Sequence, residues 1–344
     1  MIPSNVGNSA PFLSVTPLYN FSSDVPELVI GSGIGVCRFD GCETIPFDEA
    51  IIKHLQVHEP DYLLWHDPLH SRDIFADDFL QLFAAVKEGN QEKTWEFLEL
   101  FTAPTRKLFV LMRLFKPGRL RGGETFILFR DKSDDNTSWK TVGTGRASMM
   151  VVDYTTIAAQ KTSYVLHSTE IPFLLAFREN LVPLLRKMGS FPSVETALYL
   201  YGEDNGERSD VVGAVTALEA LLTKKEETES LTYRLSMRIA NLLGHDVDAR
   251  KAICLDVKNF YNLRSRIVHG VELDKKLLNR LNELDSLRET LRRVLLSVMA
   301  LISEGMHPAE LPDLLDDLAL DDEKRKQVQA TASKFLHISA EKAM

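Results

Sequence analysis

The chain has 344 residues, of which 44% are hydrophobic and 26% charged, and its formal net charge is −9 at pH 7. These proportions exclude a disordered or collagen-like chain and leave room for two folded domains. The negative balance excludes a general nucleic-acid coat protein, whose binding depends on summed Lys and Arg, but it is compatible with a nuclease that carries a local basic pocket.

The first 45 residues read as strands and turns, because "FLSVTPLYNF" and "ELVIGSGIGVCRFDG" mix β-branched and aromatic residues with Gly and Asp-Gly punctuation. A phosphate loop at "GSGIG" is rejected, since such a loop leads from a strand into a helix and "VCRFDG" continues as strand. Cys37 and Cys42, with four residues between them across the Asp40-Gly41 turn, and the lone Cys254 form neither a disulfide framework nor a zinc ribbon. From Phe47 the pattern turns helical through "FDEAIIKHLQVH", "DIFADDFLQLFAAVKEG" and "NQEKTWEFLELFT", with breaks at Pro60 and Pro68. His54 and His58 stand four apart on a predicted helix, and "HDPLH" adds His66 and His70, a weak set of metal ligands that motivates a metal-dependent hydrolase as an alternative class. Pro68 keeps His66 and His70 off one helical face, and no HExxH arrangement accompanies them.

"RKLFVLMRLFKPGRLRGG", Arg106 to Gly123, carries six basic residues and no acid, which predicts a solvated face or a partner surface. Its helix stops at Pro117-Gly118, and "TFILFR" and "TSWKTVGTGR" predict a hairpin. Near Ile171 the chain becomes helical. Ser209 or Asp210 is the expected cap of "VVGAVTALEALLT", whose stripe is Val211, Val215, Leu218 and Leu222 with Glu219 at its edge. Two further helices follow, "ESLTYRLSMRIANLLG" and "DARKAICLDVKNFYNLRSRIVHG". "LDKKLLNRLNELDSLRETLRRVLLSVMALISEG" predicts a single helix of about 30 residues, roughly 45 Å long at 1.5 Å per residue. Its apolar positions Leu277, Leu281, Leu284, Leu291, Leu295 and Met299 exceed what a small four-helix domain needs, which predicts a surface for a second copy. The fold class is therefore α+β: a mixed amino-terminal domain over residues 1–170, a helical bundle over 171–305 and an acidic helical tail over 306–344.

In "FYNLRSRIVHG", Gly270 follows the helix, so His269 lies at the carboxyl end, where the macrodipole favours a cation. Arg264 and Arg266 are permanently charged forks suited to phosphate oxygens. At 100° per residue Arg264 and His269 are about 140° apart, whereas Asn262, Arg266 and His269 share a face, so periodicity does not choose between the two arginines. Basic residues in a last turn also cap terminal carbonyls or pair with Glu219 or Glu229, which needs no function at all.

"ALEALLTKKEETESLTYRLSMRIANLLG" followed by "FYNLRSRIVHG" resembles the Apea-like branch of the HEPN superfamily, helical domains of prokaryotic abortive-infection and antiphage proteins. The resemblance covers roughly Ser193 to Gly305, and "LMRLFKPGRLRGG" looks like the end of the region that precedes this domain. It implies a metal-independent endoribonuclease without cofactor, working on an RNA substrate. Arg264 would hold the scissile phosphate, Ser265 would follow it as the motif's polar residue, and His269 would transfer protons. It also implies a homodimer with one composite site, and an amino-terminal domain that senses a phage-derived trigger. Ser265 departs from the Asn, Asp or His common at that place, and some HEPN domains are non-catalytic binding or dimerisation modules. Glu219, Arg238, Arg266 and Asn262 are supporting candidates, with intrabundle ion pairs as the bland reading. The amino terminus lacks the features of a signal peptide, and no run approaches the roughly 18 apolar residues of a membrane span, which predicts a cytoplasmic protein.

Overall fold

The structure, a computed structural model, describes residues 12–19, 21–31, 33–38, 62–66, 90–118, 120–122, 124–129, 140–146, 164–203 and 206–336. The chain divides into two compact units, Met1–Phe109 with Gly118–Ile171, and Val110–Pro117 with Pro172–Met344. The first contains a sheet and the second, among the described residues, is built from helices, so the protein is α+β as its sequence predicts.

In chain order the strands among the described residues are β1 (Phe12–Tyr19), β2 (Phe21–Ser23), β3 (Glu27–Gly31), β4 (Ile34–Arg38), β5 (Tyr62–His66), β6 (Arg121–Gly122), β7 (Glu124–Phe129), β8 (Lys140–Arg146) and β9 (Tyr164–Leu166). An antiparallel sheet runs β3-β4-β5-β1-β7-β8, with β6 also on β1, while β2 and β9 form a separate parallel pair. β1 is central: Val15 lies opposite Trp65 on one side and Phe126 on the other. Residues 13–19 are all buried, so both faces are covered, and the buried Thr16 and Thr125 hydroxyls satisfy each other with a 2.7 Å bond. The expected hairpin is β7 with β8. β5 was not expected, since its neighbourhood reads as helix. The seven residues between Pro60 and Pro68 are too few for a stable helix, and as a strand β5 buries Leu63, Leu64 and Trp65 between β4 and β1.

Among the described residues the α-helices are α1 (Gln91–Phe115), α2 (Ile171–Met188), α3 (Pro192–Gly202), α4 (Glu207–Leu222), α5 (Leu231–Leu243), α6 (Val247–Val268), α7 (Lys275–Leu281), α8 (Leu284–Ser303), α9 (Leu311–Asp317) and α10 (Asp322–Ala332). The two segments read separately before Pro117 are one helix that continues through Pro104. Its basic run is not one solvated face. Arg113 is buried and donates to the Gly202 carbonyl at 2.5 Å, and Arg106 is paired with Glu99.

α8 is the axis of the second unit: Val294 to Ile302 is buried without interruption, and the helix packs on α3, α4, α5 and α10. A helix apolar all round belongs inside a bundle. This corrects the expected partner surface, because Leu277, Leu281, Leu284, Leu291, Leu295 and Met299 are all buried within the chain itself. The single 30-residue helix is also corrected. Asn282 and Glu283 bond back three residues, to Asn279 and Arg280 at 3.1 and 3.0 Å, and this tight turn separates α7 from α8. Asp210 is not a cap either. α4 begins earlier, after Gly206, and the Asp210 carboxylate lies buried in the first turn, where it accepts from Arg288 of α8 at 2.8 Å. Past residue 306, α9 and α10 pack on α5, and α10 also on α8, so this segment closes the bundle rather than trailing from it. The Asn241 amide donates to the Leu315 carbonyl at 3.0 Å, and Gln329 donates to the Asn241 and Gly244 carbonyls at 2.7 and 3.0 Å. Among the described residues no single helix is long and apolar enough to cross a membrane.

Candidate functional site

α6 carries the motif residues. Asp246 caps its start, accepting from the Ala249 N–H at 2.7 Å, and Val257, Phe260 and Leu263 face the bundle, where the helix packs on α4 and α5. At its other end the Val271 N–H reaches the Arg266 carbonyl at 3.0 Å and the Gly270 N–H reaches the Ile267 carbonyl at 3.1 Å. This pair of bonds is a Schellman closure, which requires a left-handed residue; Gly270, at φ +66°, supplies it. His269 is consequently fixed as the cap that follows Val268, the last residue of the helix, and it is exposed to solvent.

Arg264 and Arg266 leave α6 on different sides. Arg264 turns toward α4, where its Nη2 meets the Glu219 carboxylate at 3.3 Å, and its guanidinium lies 5.7 Å from the Tyr261 ring centroid. The Arg264 side chain is 27% exposed, and its Nε is buried without a hydrogen-bond partner. Burial, and then the adjacent Glu219 carboxylate, pushes the Tyr261 phenol above its ordinary range, so it stays a neutral donor beside that carboxylate. One edge of the Arg264 fork is thus anchored while part of the guanidinium remains open to solvent. Such a fork can hold an anion without swinging freely. Ser265 is half-buried beside it.

Arg266 and Asn262, both exposed, instead line an open groove between α6 and α7. The groove thus takes up Asn262 and Arg266 of the helical-wheel face but not His269, and Arg264 lies outside it. Among the described residues no hydrogen bond joins Arg264 to His269.

Arg238 is different in kind. Fully buried, it donates through Nε and Nη2 to Asp316 at 2.8 and 2.7 Å, through Nη1 and Nη2 to Glu227 at 2.7 and 2.6 Å, and through Nη1 to the Leu222 carbonyl at 2.8 Å. Those five bonds use every donor a guanidinium has. Burial alone would lower its pKa, but the two carboxylates outweigh that and raise it, while Arg238 holds Glu227 down at about 2. Arg238 therefore ties α5 to the loop after α4 and to α9, and has nothing left for phosphate. This corrects its standing as a supporting site residue.

Of the histidine cluster, His54, His58 and His70 lie outside the described residues, and His66 is the last residue of β5. Among the described residues no group of three or more His, Cys, Asp or Glu side chains could hold a metal ion. Cys37 is buried in the sheet, and burial pushes its thiol up to about 11. Tyr261 was missed from sequence; its spacing of three from Arg264 was the available signal.

Comparison with protein-family models, with curated proteins and with solved structures finds no match to this chain.

Proposed function

We propose that the second unit is a metal-independent endoribonuclease of the HEPN type, acting as a homodimer in the cytoplasm as an antiphage effector. The supporting observation is the state of Arg264: it is anchored by Glu219 and Tyr261 yet still partly open, five residues before an exposed histidine locked at the helix end. In this reading Arg264 grips the oxygens of the scissile phosphate and stabilises the charge that builds up in the transition state. The RNA 2′-hydroxyl attacks phosphorus, the bond to the 5′-oxygen breaks, and the products are a 2′,3′-cyclic phosphate and a 5′-hydroxyl. One His269 takes the 2′-hydroxyl proton and the partner copy's His269 protonates the leaving 5′-oxygen, so two copies complete the proton balance. The first unit then senses the phage-derived trigger.

One observation favours the alternative, a non-catalytic binding or dimerisation module. The His269 side chain has no hydrogen-bond partner among the described residues, and a catalytic histidine is ordinarily oriented by one. The test is cleavage of an end-labelled single-stranded RNA by the purified full chain in EDTA. Wild type should cut, and Arg264→Ala and His269→Ala should not. Undiminished cleavage by His269→Ala would remove that residue from the chemistry, and an inactive wild type would favour the binding module.

A further inference from the structure

The groove between α6 and α7 has a volume of about 660 Å³, within the roughly 300–1,000 Å³ range of ligand sites. Its walls carry four cations, Arg266, Lys275, Lys276 and Arg280, against two carboxylates, Asp274 and Glu283. Both carboxylates are already engaged. Asp274 accepts from the Leu277 N–H at 2.9 Å as the cap of α7, and Glu283 is paired with Arg280. Arg280 is itself consumed by Glu283 and Asp256, and its guanidinium covers the Phe260 ring at 4.2 Å. Arg266, Lys275 and Lys276 are left exposed and, among the described residues, without an ion-pair partner. With Arg280 and Glu283 offsetting each other, Arg266, Lys275 and Lys276 against Asp274 leave the groove with two net positive charges in a chain whose net charge is −9, a local inversion of the field.

The polar lining is as distinctive as the charge. Asn259, Asn262 and Asn279 contribute three side-chain amides that have no hydrogen-bond partner among the described residues. Amides beside cations suit a ligand that alternates phosphates with hydrogen-bonding bases, because Asn can pair with base edges while Lys and Arg take phosphate. Asn259 to His269 spans ten residues of helix, about 15 Å at 1.5 Å per residue, so the groove leads along α6 toward its carboxyl end.

We infer that this groove is a binding site for single-stranded RNA, taking phosphates on Arg266, Lys275 and Lys276 and bases on Asn259, Asn262 and Asn279. That the bound strand is also the substrate rests on the ribonuclease reading; the binding does not. Arg266 on this account is a positioning residue, which holds the strand while Arg264 meets the reacting phosphate.

The test uses the full chain with His269→Ala, so that the probe stays intact, and a fluorescein-labelled 12-nucleotide RNA of mixed sequence read by anisotropy. Combining Arg266→Ala, Lys275→Ala and Lys276→Ala should weaken binding at least tenfold in low salt. It should also flatten the dependence of log K on log salt by about 2, since each phosphate contact on a single strand contributes about 0.7. Replacing the three asparagines with alanine should leave that slope in place and narrow the differences in affinity among A, U and C homopolymers. Unchanged affinity and slope in the triple cation variant would overturn the proposal. So would displacement of the RNA by polyglutamate at equal charge concentration, which would make the groove a site for acidic polypeptides. Parallel cleavage assays on chains with His269 intact separate the two readings: RNA bound in the groove without cleavage by wild type defeats the ribonuclease alone, whereas cleavage with unaltered binding by the cation variant defeats the groove alone.

Discussion

Arg238 and Arg264 stand on neighbouring helices of one bundle, and their surroundings differ in a way that separates structure from function. Arg238, fully buried, spends all five donors on two carboxylates and a carbonyl. Arg264, 27% exposed, touches one carboxylate at 3.3 Å and keeps donor capacity in reserve. A closed network can only hold the fold together, whereas an anchored but incomplete one can accept a ligand. The same contrast divides Arg280, covered and doubly paired, from Arg266 across the groove.

The widest separation should come from truncating the two arginines. Arg238→Ala strips the buried Glu227 carboxylate of its two-bond partner, leaving it only Arg234 and the Lys224 N–H, and should cost about 3–5 kcal/mol in denaturant unfolding. A loss under about 1 kcal/mol would show that the network is dispensable. Arg264→Ala should cost little stability but reduce RNA cleavage about 100- to 1,000-fold, as expected when one charge-stabilising donor group is removed. Arg264→Lys should also fail substantially, because it keeps the charge and loses the planar fork. Full activity there would mean that only the charge matters.

Acid offers a graded version of the same contrast. Glu227 is held at about 2 in the folded protein against an ordinary value of 4.5, so its stabilising contribution is complete above about pH 4.5 and is lost as pH falls toward 2. The stability lost across that window should reach about 3 kcal/mol, and Glu227→Gln should flatten it. An unchanged acid limb in that variant would place the titration elsewhere. The smallest effect belongs to Gly270→Ala. A Cβ there meets nothing within 4 Å, so the cost is the left-handed backbone alone, about 1–2 kcal/mol in thermal unfolding. A neutral result would mean that the helix end relaxes and that His269 is not fixed by it.

Much of this arrangement is legible in the sequence, and its gaps have physical causes. The stop at Gly270 and the position of His269 follow from local rules, because a helix end is a matter of a few adjacent residues. The turn at Asn282-Glu283 was hidden because Leu277, Leu281 and Leu284 keep a helical spacing straight through it. β5 escaped because a five-residue apolar run has no period of its own, and only its neighbours β1 and β4 make it a strand. Asp210 resembles a cap until Arg288, 78 residues away, is seen to claim it. The roles of Arg238 and Arg264 could not be separated for the same reason: what distinguishes them is the number of donors already taken, and their partners Asp316 and Glu219 lie 78 and 45 residues distant. The groove cations Lys275 and Lys276 went unremarked because, read along the chain, they look like the solvated start of a helix.

The central claim is that the open end of α6 cleaves RNA through the RNA's own 2′-hydroxyl. It is tested most directly by the ends of the products. Purified wild-type protein, incubated with single-stranded RNA in excess EDTA, should yield fragments ending in a 2′,3′-cyclic phosphate and beginning with a 5′-hydroxyl. Fragments with a 3′-hydroxyl and a 5′-phosphate, formed only when a divalent metal is restored, would contradict it.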